Sequence, residues 1–187
     1  QLVDFGGFRG QRLLEVGCGI GTDLARFAAG GAEVTGLDLA QTAIDLARTN
    51  FGYLGLTGDL RVGDGEALPF PDASFDVVYG HGVLQYAAAP ERIIAEAHRV
   101  LKPGGRGIFM VYNRISWLNA LSKVMKVALE HEDAPVLKKY SIAEFRALLQ
   151  PFGTVEIVPE RFPVKSRLHH GWKGMAFNGL FVGTFNA

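Results

Sequence analysis

The chain has 187 residues, with 19 basic and 19 acidic side chains and a single cysteine. This length suits one domain over residues 1–187 with a full hydrophobic core, and one cysteine excludes an internal disulfide framework. The balanced charge argues against a nucleic-acid partner, and no apolar run reaches the roughly 18 residues that a membrane-spanning helix needs. Since no signal-peptide pattern is seen, we expect a cytoplasmic protein.

The first predicted strand leads into a glycine-rich turn. Its apolar residues are followed by three alternating glycines, Gly17, Gly19 and Gly21, and then by a helical pattern. Glycines at this point let a nucleotide-like ligand approach the backbone at the carboxyl end of the strand, beside a helix N-terminus. The next strand ends on Asp38, at the spacing where a carboxylate would hold a ribose diol. These residues predict a site for a nucleoside-containing cofactor.

Strands and helices then alternate along the chain. Apolar runs predict strands over 12–17, 33–38, 59–63, 75–79 and 106–112. Helical spacing predicts helices over 22–29, 41–50 and 90–99. Such alternation is typical of an α/β fold, with a mainly parallel sheet and helices on both faces. A capping box at Ser141 and Glu144 predicts a further helix to about Gln150, and 153–159 is predicted as another strand.

Four motifs together indicate which cofactor is bound. Thr22 stands where the third glycine of a dinucleotide fingerprint would be, so a pyrophosphate site is not indicated. The motifs are LLEVGCGIG at 13–21, GDGEALPF at 63–70, GHGVLQY at 80–86 and RVLKPGG at 99–105. In sequence and order, over about residues 9–112, they resemble the class I S-adenosylmethionine-dependent methyltransferases, in particular the small-molecule, type 11-like branch.

The resemblance implies a Rossmann-like, doubly wound sheet of six to seven strands, with a helical lid inserted after the fifth strand. It also implies S-adenosylmethionine as cofactor and S-adenosylhomocysteine as product. In-line transfer of a methyl group needs mainly orientation, which contributes roughly 7 to 11 kcal/mol, so no metal or dedicated acid is required. The implied cofactor contacts are Glu15, Gly17, Cys18, Gly19, Gly21, Asp38, Leu39, Asp64, Gly65, Glu66 and His81.

His81 is the candidate general base, because imidazoles exchange protons readily near neutral pH; the alternative is that it only packs against the cofactor. Cys18 lies inside the glycine turn, where its small size explains it better than a nucleophilic role. The His169–His170 pair lacks a third ligand, so no metal site is predicted. The residues expected to orient an acceptor are Gln85, Tyr86, Tyr112, Asn113 and Trp117.

Two later segments are open to several interpretations. Residues 113–140 contain an amphipathic helical pattern, which fits core packing, a substrate lid or a helix that touches a membrane. The basic segment 161–187 fits a solvated face, or attraction to an anionic substrate or membrane surface. Within it, Leu180–Phe185 is a candidate strand.

The leading functional prediction is transfer of a methyl group from S-adenosylmethionine to a small, hydrophobic acceptor. One alternative is a protein that binds this cofactor without transferring the methyl group. The other is a nicotinamide-dependent oxidoreductase, which Thr22 disfavours. The sequence does not choose among oxygen, nitrogen and carbon acceptors, nor does it indicate an oligomeric state.

Overall fold

The computed structural model describes residues 3–114 and 137–158. The strands in this part are β1 (Arg12–Val16), β2 (Glu33–Asp38), β3 (Asp59–Val62), β4 (Phe75–His81) and β5 (Leu101–Met110). The helices are α1 (Thr22–Ala29), α2 (Gln41–Leu54), α3 (Pro90–Val100) and α4 (Ile142–Leu148). The predicted α/β class is confirmed. β5 begins earlier than predicted, because the turn at 103–105 lies within it as an irregularity.

The sheet has the strand order β3-β2-β1-β4-β5, and all neighbouring strands are parallel. From β1 the chain moves outward through β2 to β3, and it then crosses to the other side of β1 to form β4 and β5. The carboxyl ends of β1 and β4 therefore adjoin, with Glu15 opposite Tyr79. Open α/β sheets bind ligands outside the strand ends at such a switch point.

Hydrophobic cores cover both faces of the sheet. Successive strand residues point to opposite faces, so Leu14 and Val78 pack on the side of α3 and α4. Leu13 and Val77 pack on the side of α1 and α2. Glu15, two residues after Leu13, belongs to the α1 side. The strand alternation thus directs a carboxylate toward the helix that follows the glycine turn.

The predicted capping box is confirmed at the start of α4. Ser141 accepts a hydrogen bond from the Glu144 amide, and the Glu144 carboxylate accepts one from the Ser141 amide at 2.8 Å. These reciprocal bonds satisfy amides that a helix start leaves without partners. Phe145 is then buried against the α3 side of the core.

The strand predicted over 153–159 is wrong for the part that the structure describes. Residues 153–158 form no strand, although Val155 and Ile157 pack partly buried against the core. Alternate burial predicts which residues face inward, but a strand also requires a neighbouring strand with which to form hydrogen bonds. Within residues 3–114 and 137–158, this segment has no such neighbour.

Several predicted features lie outside the described residues. They are the amphipathic pattern between 115 and 136, Trp117, the segment 161–187 and its candidate strand Leu180–Phe185. The two ends of the 113–140 stretch are described and lie side by side. Asn113 and Tyr140 form a bridge, and the Arg114 amide donates to the Tyr140 carbonyl at 2.7 Å. In the described ranges, every helix is too short or too polar to cross a bilayer.

Arg99 joins α3 to the loop that follows β3. Its guanidinium donates to the carbonyl oxygens of Leu68 at 3.0 Å and Phe70 at 2.8 Å. It also pairs with the carboxylates of Glu96 and Asp72, each at 2.7 Å. Glu96 in turn accepts from the Leu68 amide at 2.8 Å, so the loop is held by both members of an ion pair.

We predict that Arg99→Ala lowers the free energy of unfolding by about 2–3 kcal/mol, because two loop carbonyls and two carboxylates lose a charged donor. Urea denaturation measures this change. Arg92→Ala, an exposed arginine on the same helix, is the matched control and should change stability by less than about 0.5 kcal/mol. Equal effects of the two substitutions would contradict the role of Arg99.

Candidate functional site

Three loops meet at the switch point. A Cβ atom added to Gly17 would lie 2.9 Å from Cγ2 of Val83, and one added to Gly65 would lie 2.7 Å from Cγ1 of Val16. Real Cβ atoms do not approach other atoms so closely, and Gly17 also has a positive φ of 69°. The loops after β1, β3 and β4 are therefore packed together.

The glycine loop uses several of its amides within the protein. The amides of Gly17 and Cys18 both donate to the Leu37 carbonyl, at 2.8 and 3.1 Å. The Gly19 amide donates to the Asp38 carboxylate at 2.8 Å. A Cβ atom added to Gly19 would meet nothing within 4 Å. The loop thus offers open space to a ligand at Gly19, while the amides of Gly17, Cys18 and Gly19 are bonded within the protein.

Asp38 ends β2 and contacts two loops. One carboxylate oxygen accepts from Gly19, and the other accepts from the Ala40 amide at 3.0 Å. A carboxylate has about four lone-pair positions, so both oxygens keep capacity for a ligand hydroxyl. The structure therefore places the predicted ribose contact beside the open surface of the glycine loop.

Asp64 and Glu66 follow β3 but act differently. The Gly63 amide donates to the Asp38 carbonyl at 2.9 Å, which joins this loop to the end of β2. The exposed Asp64 carboxylate accepts from the Glu66 amide at 2.8 Å. The Glu66 carboxylate instead accepts from the Ala89 amide at 2.9 Å, where α3 begins. Glu66, predicted as a cofactor contact, thus links the loop to α3 through its side chain.

Glu15 is a buried acid at the switch point, with only 3% of its surface exposed. The Leu24 amide near the start of α1 acts to lower the pKa of this carboxyl. Its Oε2 atom has no hydrogen-bond partner in the described part of the chain. Burial, and then the charges of Asp23 and Asp38, raise the pKa of Glu15 well above its ordinary value. An unpaired buried carboxylate oxygen is costly, so this position suits a cationic group that donates hydrogen bonds.

Asp23, on the first turn of α1, was not predicted as a site residue. Its Oδ2 atom lies 2.9 Å from the hydroxyl of Tyr79 and 3.2 Å from Nδ1 of His81. The hydrogen bond from His81 is the main cause that lowers the pKa of Asp23. His81, the predicted base, is therefore held by an acid that follows the glycine loop. The sequence signal that could have pointed to Asp23 was the presence of an acid two residues after Gly21.

Cys18 faces the core rather than the site. Its thiol is 5% exposed, and its sulfur would lie 3.0 Å from a Cβ atom added to Gly36. Burial raises the pKa of the Cys18 thiol to about 12, so the thiolate needed for nucleophilic attack is not formed at neutral pH. The small size of Cys18 explains its presence.

Large apolar side chains are exposed around the strand ends. Leu39 is 73% exposed, Ile20 is 52% exposed and Val62 is 44% exposed. Leu39 follows β2, Ile20 lies in the glycine loop and Val62 ends β3, so these side chains flank Asp38. A flat aromatic ring that covered them would remove apolar surface from water.

The predicted acceptor residues are placed unevenly. Gln85 is fully buried, and neither atom of its amide has a hydrogen-bond partner among the residues that the structure describes. Tyr86 is exposed at the same segment, whereas Tyr112 and Asn113 follow β5. All four lie beyond the carboxyl ends of β4 and β5. Trp117 lies outside the described residues.

Acidic side chains dominate this edge of the sheet. Glu15, Asp38 and Asp64 form no ion pair with any cation in the described ranges. Such an edge attracts a cation and repels a pyrophosphate. Within those ranges, no cluster of histidine, cysteine or acidic side chains has the arrangement of a metal site.

Comparison with known proteins agrees with this geometry. Residues 14–109, about half of the chain, match the family described as a methyltransferase domain. The ubiquinone biosynthesis O-methyltransferase of Roseobacter denitrificans is 37% identical over 120 residues, which cover 64% of this chain and 47% of that enzyme. The chain thus spans less than half the length of this relative.

Two solved structures share the fold. A SAM-dependent methyltransferase from Methanosarcina mazei has a TM-score of 0.65 and 26% identity, and the match covers 76% of this chain and 78% of that one. The [4+2]-cyclase SpnF has a TM-score of 0.63 and 29% identity, and the match covers 76% of this chain and 51% of that one.

Replacing Glu15 should change how stability depends on pH. Because the folded state raises the pKa of Glu15, it holds this proton more tightly than the unfolded chain, and stability falls as pH rises above the ordinary carboxyl range. We predict that Glu15→Gln gains stability relative to the wild type between about pH 5 and pH 8, on the order of 1 kcal/mol at the upper end. Thermal denaturation across this range measures it, and a constant difference would contradict the prediction.

Replacing Gln85 should separate stability from function. Gln85→Met removes, at similar volume, a buried amide that has no partner among the described residues, so we predict that Tm rises by roughly 2–4 °C. Under the methyl-transfer hypothesis drawn from the sequence, product formation should fall by about tenfold or more, because a hydrogen-bonding group is lost. Gln150→Met, at an exposed position, is the control and should change neither quantity. A lower Tm in Gln85→Met would contradict the prediction, because it would show that the Gln85 amide stabilises the fold.

Proposed function

This chain belongs to the methyltransferase domain family, and we propose that it transfers a methyl group from S-adenosylmethionine to a small, hydrophobic acceptor. The observation that carries the proposal is a buried carboxylate oxygen of Glu15, at the switch point, that has no hydrogen-bond partner among the described residues. The ammonium group of the cofactor's methionine part would donate to this oxygen. Its positive charge would also offset the acids that have no described cationic partner.

The remaining cofactor contacts follow from the strand ends. Asp38 would accept from the ribose hydroxyls, with the spare lone pairs that its two amide contacts leave. Leu39 offers an exposed apolar surface to the adenine ring, and Asp64 and Gly65 would meet the edge of that ring. The open face of Gly19 leaves room for the rest of the molecule.

S-adenosylmethionine, when bound, supplies a methyl group on a positively charged sulfur that is already electrophilic. The chain's own residues then have to hold donor and acceptor in line, which contributes roughly 7 to 11 kcal/mol. His81 is the proposed proton acceptor for a hydroxyl or amine substrate. Gln85, Tyr86, Tyr112 and Asn113 would orient that substrate, and Trp117 is assigned the same role from the sequence alone.

The proposed acceptor is small and hydrophobic. The Roseobacter relative is an O-methyltransferase of ubiquinone biosynthesis, which supports an acceptor of this kind. We also propose peripheral contact with a membrane surface. It would be made through the amphipathic pattern within 113–140 or the basic segment 161–187. Cytoplasmic location is proposed because the chain has one cysteine and so no internal disulfide to form.

A second candidate function is cofactor binding without methyl transfer. The similarity to the cyclase SpnF supports it, because a protein named for a different reaction has the same fold at 29% identity. The two functions share the cofactor site and differ only in what lies beside the methyl group. A binding measurement and a transfer measurement are therefore both needed.

We predict that S-adenosylhomocysteine binds with a Kd of about micromolar, and that Asp38→Ala weakens binding by about tenfold or more, because the ribose loses its acceptor. Isothermal titration calorimetry measures both. Asp45→Ala, an exposed acid on α2, is the control and should bind like the wild type. The Asp38 variant also loses two loop contacts, so its Tm is measured alongside. No heat with either S-adenosylmethionine or S-adenosylhomocysteine would defeat the proposal.

S-adenosylmethionine carrying a labelled methyl group distinguishes the two functions. Labelled product from a panel of phenols, amines and lipid-like hydroxy compounds supports transfer, whereas binding without any product supports the second candidate. A reduced nicotinamide dinucleotide should give no heat, because the acidic strand edge repels its pyrophosphate.

A further inference from the structure

We infer that Asp23 is a positioning residue that, together with Tyr79, holds His81 with its Nε2 atom open to receive the proton of a hydroxyl or amine acceptor. The inference rests on the proposed methyl transfer and adds two residues to it. Neither Asp23 nor Tyr79 belongs to the cofactor contacts that the motifs imply.

The geometry brings two donors to one carboxylate oxygen. Oδ2 of Asp23 accepts from the Tyr79 hydroxyl at 2.9 Å and lies 3.2 Å from Nδ1 of His81. A proton on Nδ1 would face this oxygen, and the neutral ring would then carry its lone pair on Nε2. Among the described residues, none forms a hydrogen bond with Nε2, and the side chain is 48% exposed.

The side chains around the contact between Asp23 and His81 are tightly packed. Tyr79 is 5% exposed, and its ring packs edge-on against Phe27 of α1 with centroids 5.0 Å apart. Tyr79 and His81 are two residues apart on β4, so both face α1. Their rings lie 6.2 Å apart. The acid comes from α1 and the two donors come from β4, so the contact ties the helix to the strand at the switch point.

The surrounding charges keep Asp23 ionised. Its side chain is 17% exposed, and the contacts with His81 and Tyr79 lower its pKa, as does the charge of Arg26 at 3.4 Å. Burial and the bond to Asp23 raise the pKa of Tyr79, so the phenol stays a donor. Glu15 is a further acid nearby: the charge of Asp23 raises the pKa of Glu15, and the charge of Glu15 raises the pKa of Tyr79.

A simple helix-start acid would not need this arrangement. An acid in the first turn interacts favourably with the helix dipole wherever its side chain points. Asp23 is instead held by a buried tyrosine and aimed at a histidine that ends a central strand. A carboxylate that contacts one imidazole nitrogen and orients the ring, without touching the substrate, is a recurring feature of acid–base sites.

Proton transfer and methyl transfer together conserve atoms and charge. Nε2 of His81 takes the proton from the acceptor's oxygen or nitrogen, and that atom forms a bond to the methyl carbon. The bond between the methyl carbon and sulfur breaks, and its electron pair stays on sulfur, which becomes a neutral thioether. The positive charge lost from sulfur appears on the imidazolium, where the Asp23 carboxylate stabilises it.

The test is the tautomer of His81, read by two-bond ¹⁵N–¹H NMR correlations on the ¹⁵N-labelled chain at about pH 9, where imidazoles are neutral. Its signal among the five histidines is assigned with His81→Gln. The wild type should show the proton on Nδ1. In Asp23→Asn, whose amide can donate to Nδ1, the proton should move to Nε2. Asp45→Asn is the matched control and should leave the spectrum of His81 unchanged.

Kinetics supply the second readout. With any protic acceptor that the wild type methylates, Asp23→Asn should lower kcat by about 10²- to 10³-fold and leave the KM for S-adenosylmethionine unchanged. A wild-type His81 with its proton on Nε2 overturns the inference without any variant. An unchanged kcat in Asp23→Asn also overturns it. Absence of cofactor binding defeats the proposed function instead, and the tautomer measurement, made without ligand, tells the two failures apart.

Discussion

The buried carboxylate of Glu15 is the constraint around which the site is arranged. An acid in the middle of a parallel sheet has no water to solvate it, so its charge must be met by nearby groups. The amide of Leu24, at the start of α1, favours the charged form of this carboxyl, because the glycine turn brings α1 back toward the end of β1. The Oε2 atom faces the switch point without a described partner. The fold therefore keeps a buried acid with a raised pKa at the place where α/β sheets bind ligands.

Close packing of three loops turns this single position into a site. Gly17 and Gly65 allow approaches to Val83 and Val16 that no side chain would permit. A bulkier residue at either glycine would push the loops apart and move Asp38 and Asp64 away from the end of β1. The same approaches explain why the loop amides are used internally: the loops are close enough to bond to one another, and the ligand receives open space and carboxylates instead.

Local signals in the sequence predicted most of the fold and the acids that end the strands. The strand ends carry their own markers, as Asp38 does, and parallel alternation fixes the edge on which they meet. Asp23 was missed because its partners, Tyr79 and His81, are more than fifty residues away and only the β1–β4 pairing brings them near. The strand at 153–158 failed for a related reason, since burial is encoded locally but pairing depends on a neighbour.

The two ends of the sheet treat their acids differently, and the difference favours a cationic ligand. At the amino end, Asp76 accepts from the Arg12 amide at 2.8 Å and pairs with Lys102 at 2.7 Å, so its charge is neutralised within the chain. At the carboxyl end, Glu15 and Asp38 accept amide bonds but have no described cation. Selection for stability alone would favour a cation beside the acids at both ends of the sheet, because an uncompensated buried charge is costly. The negative potential that remains at the switch point is one that a positively charged ligand would offset.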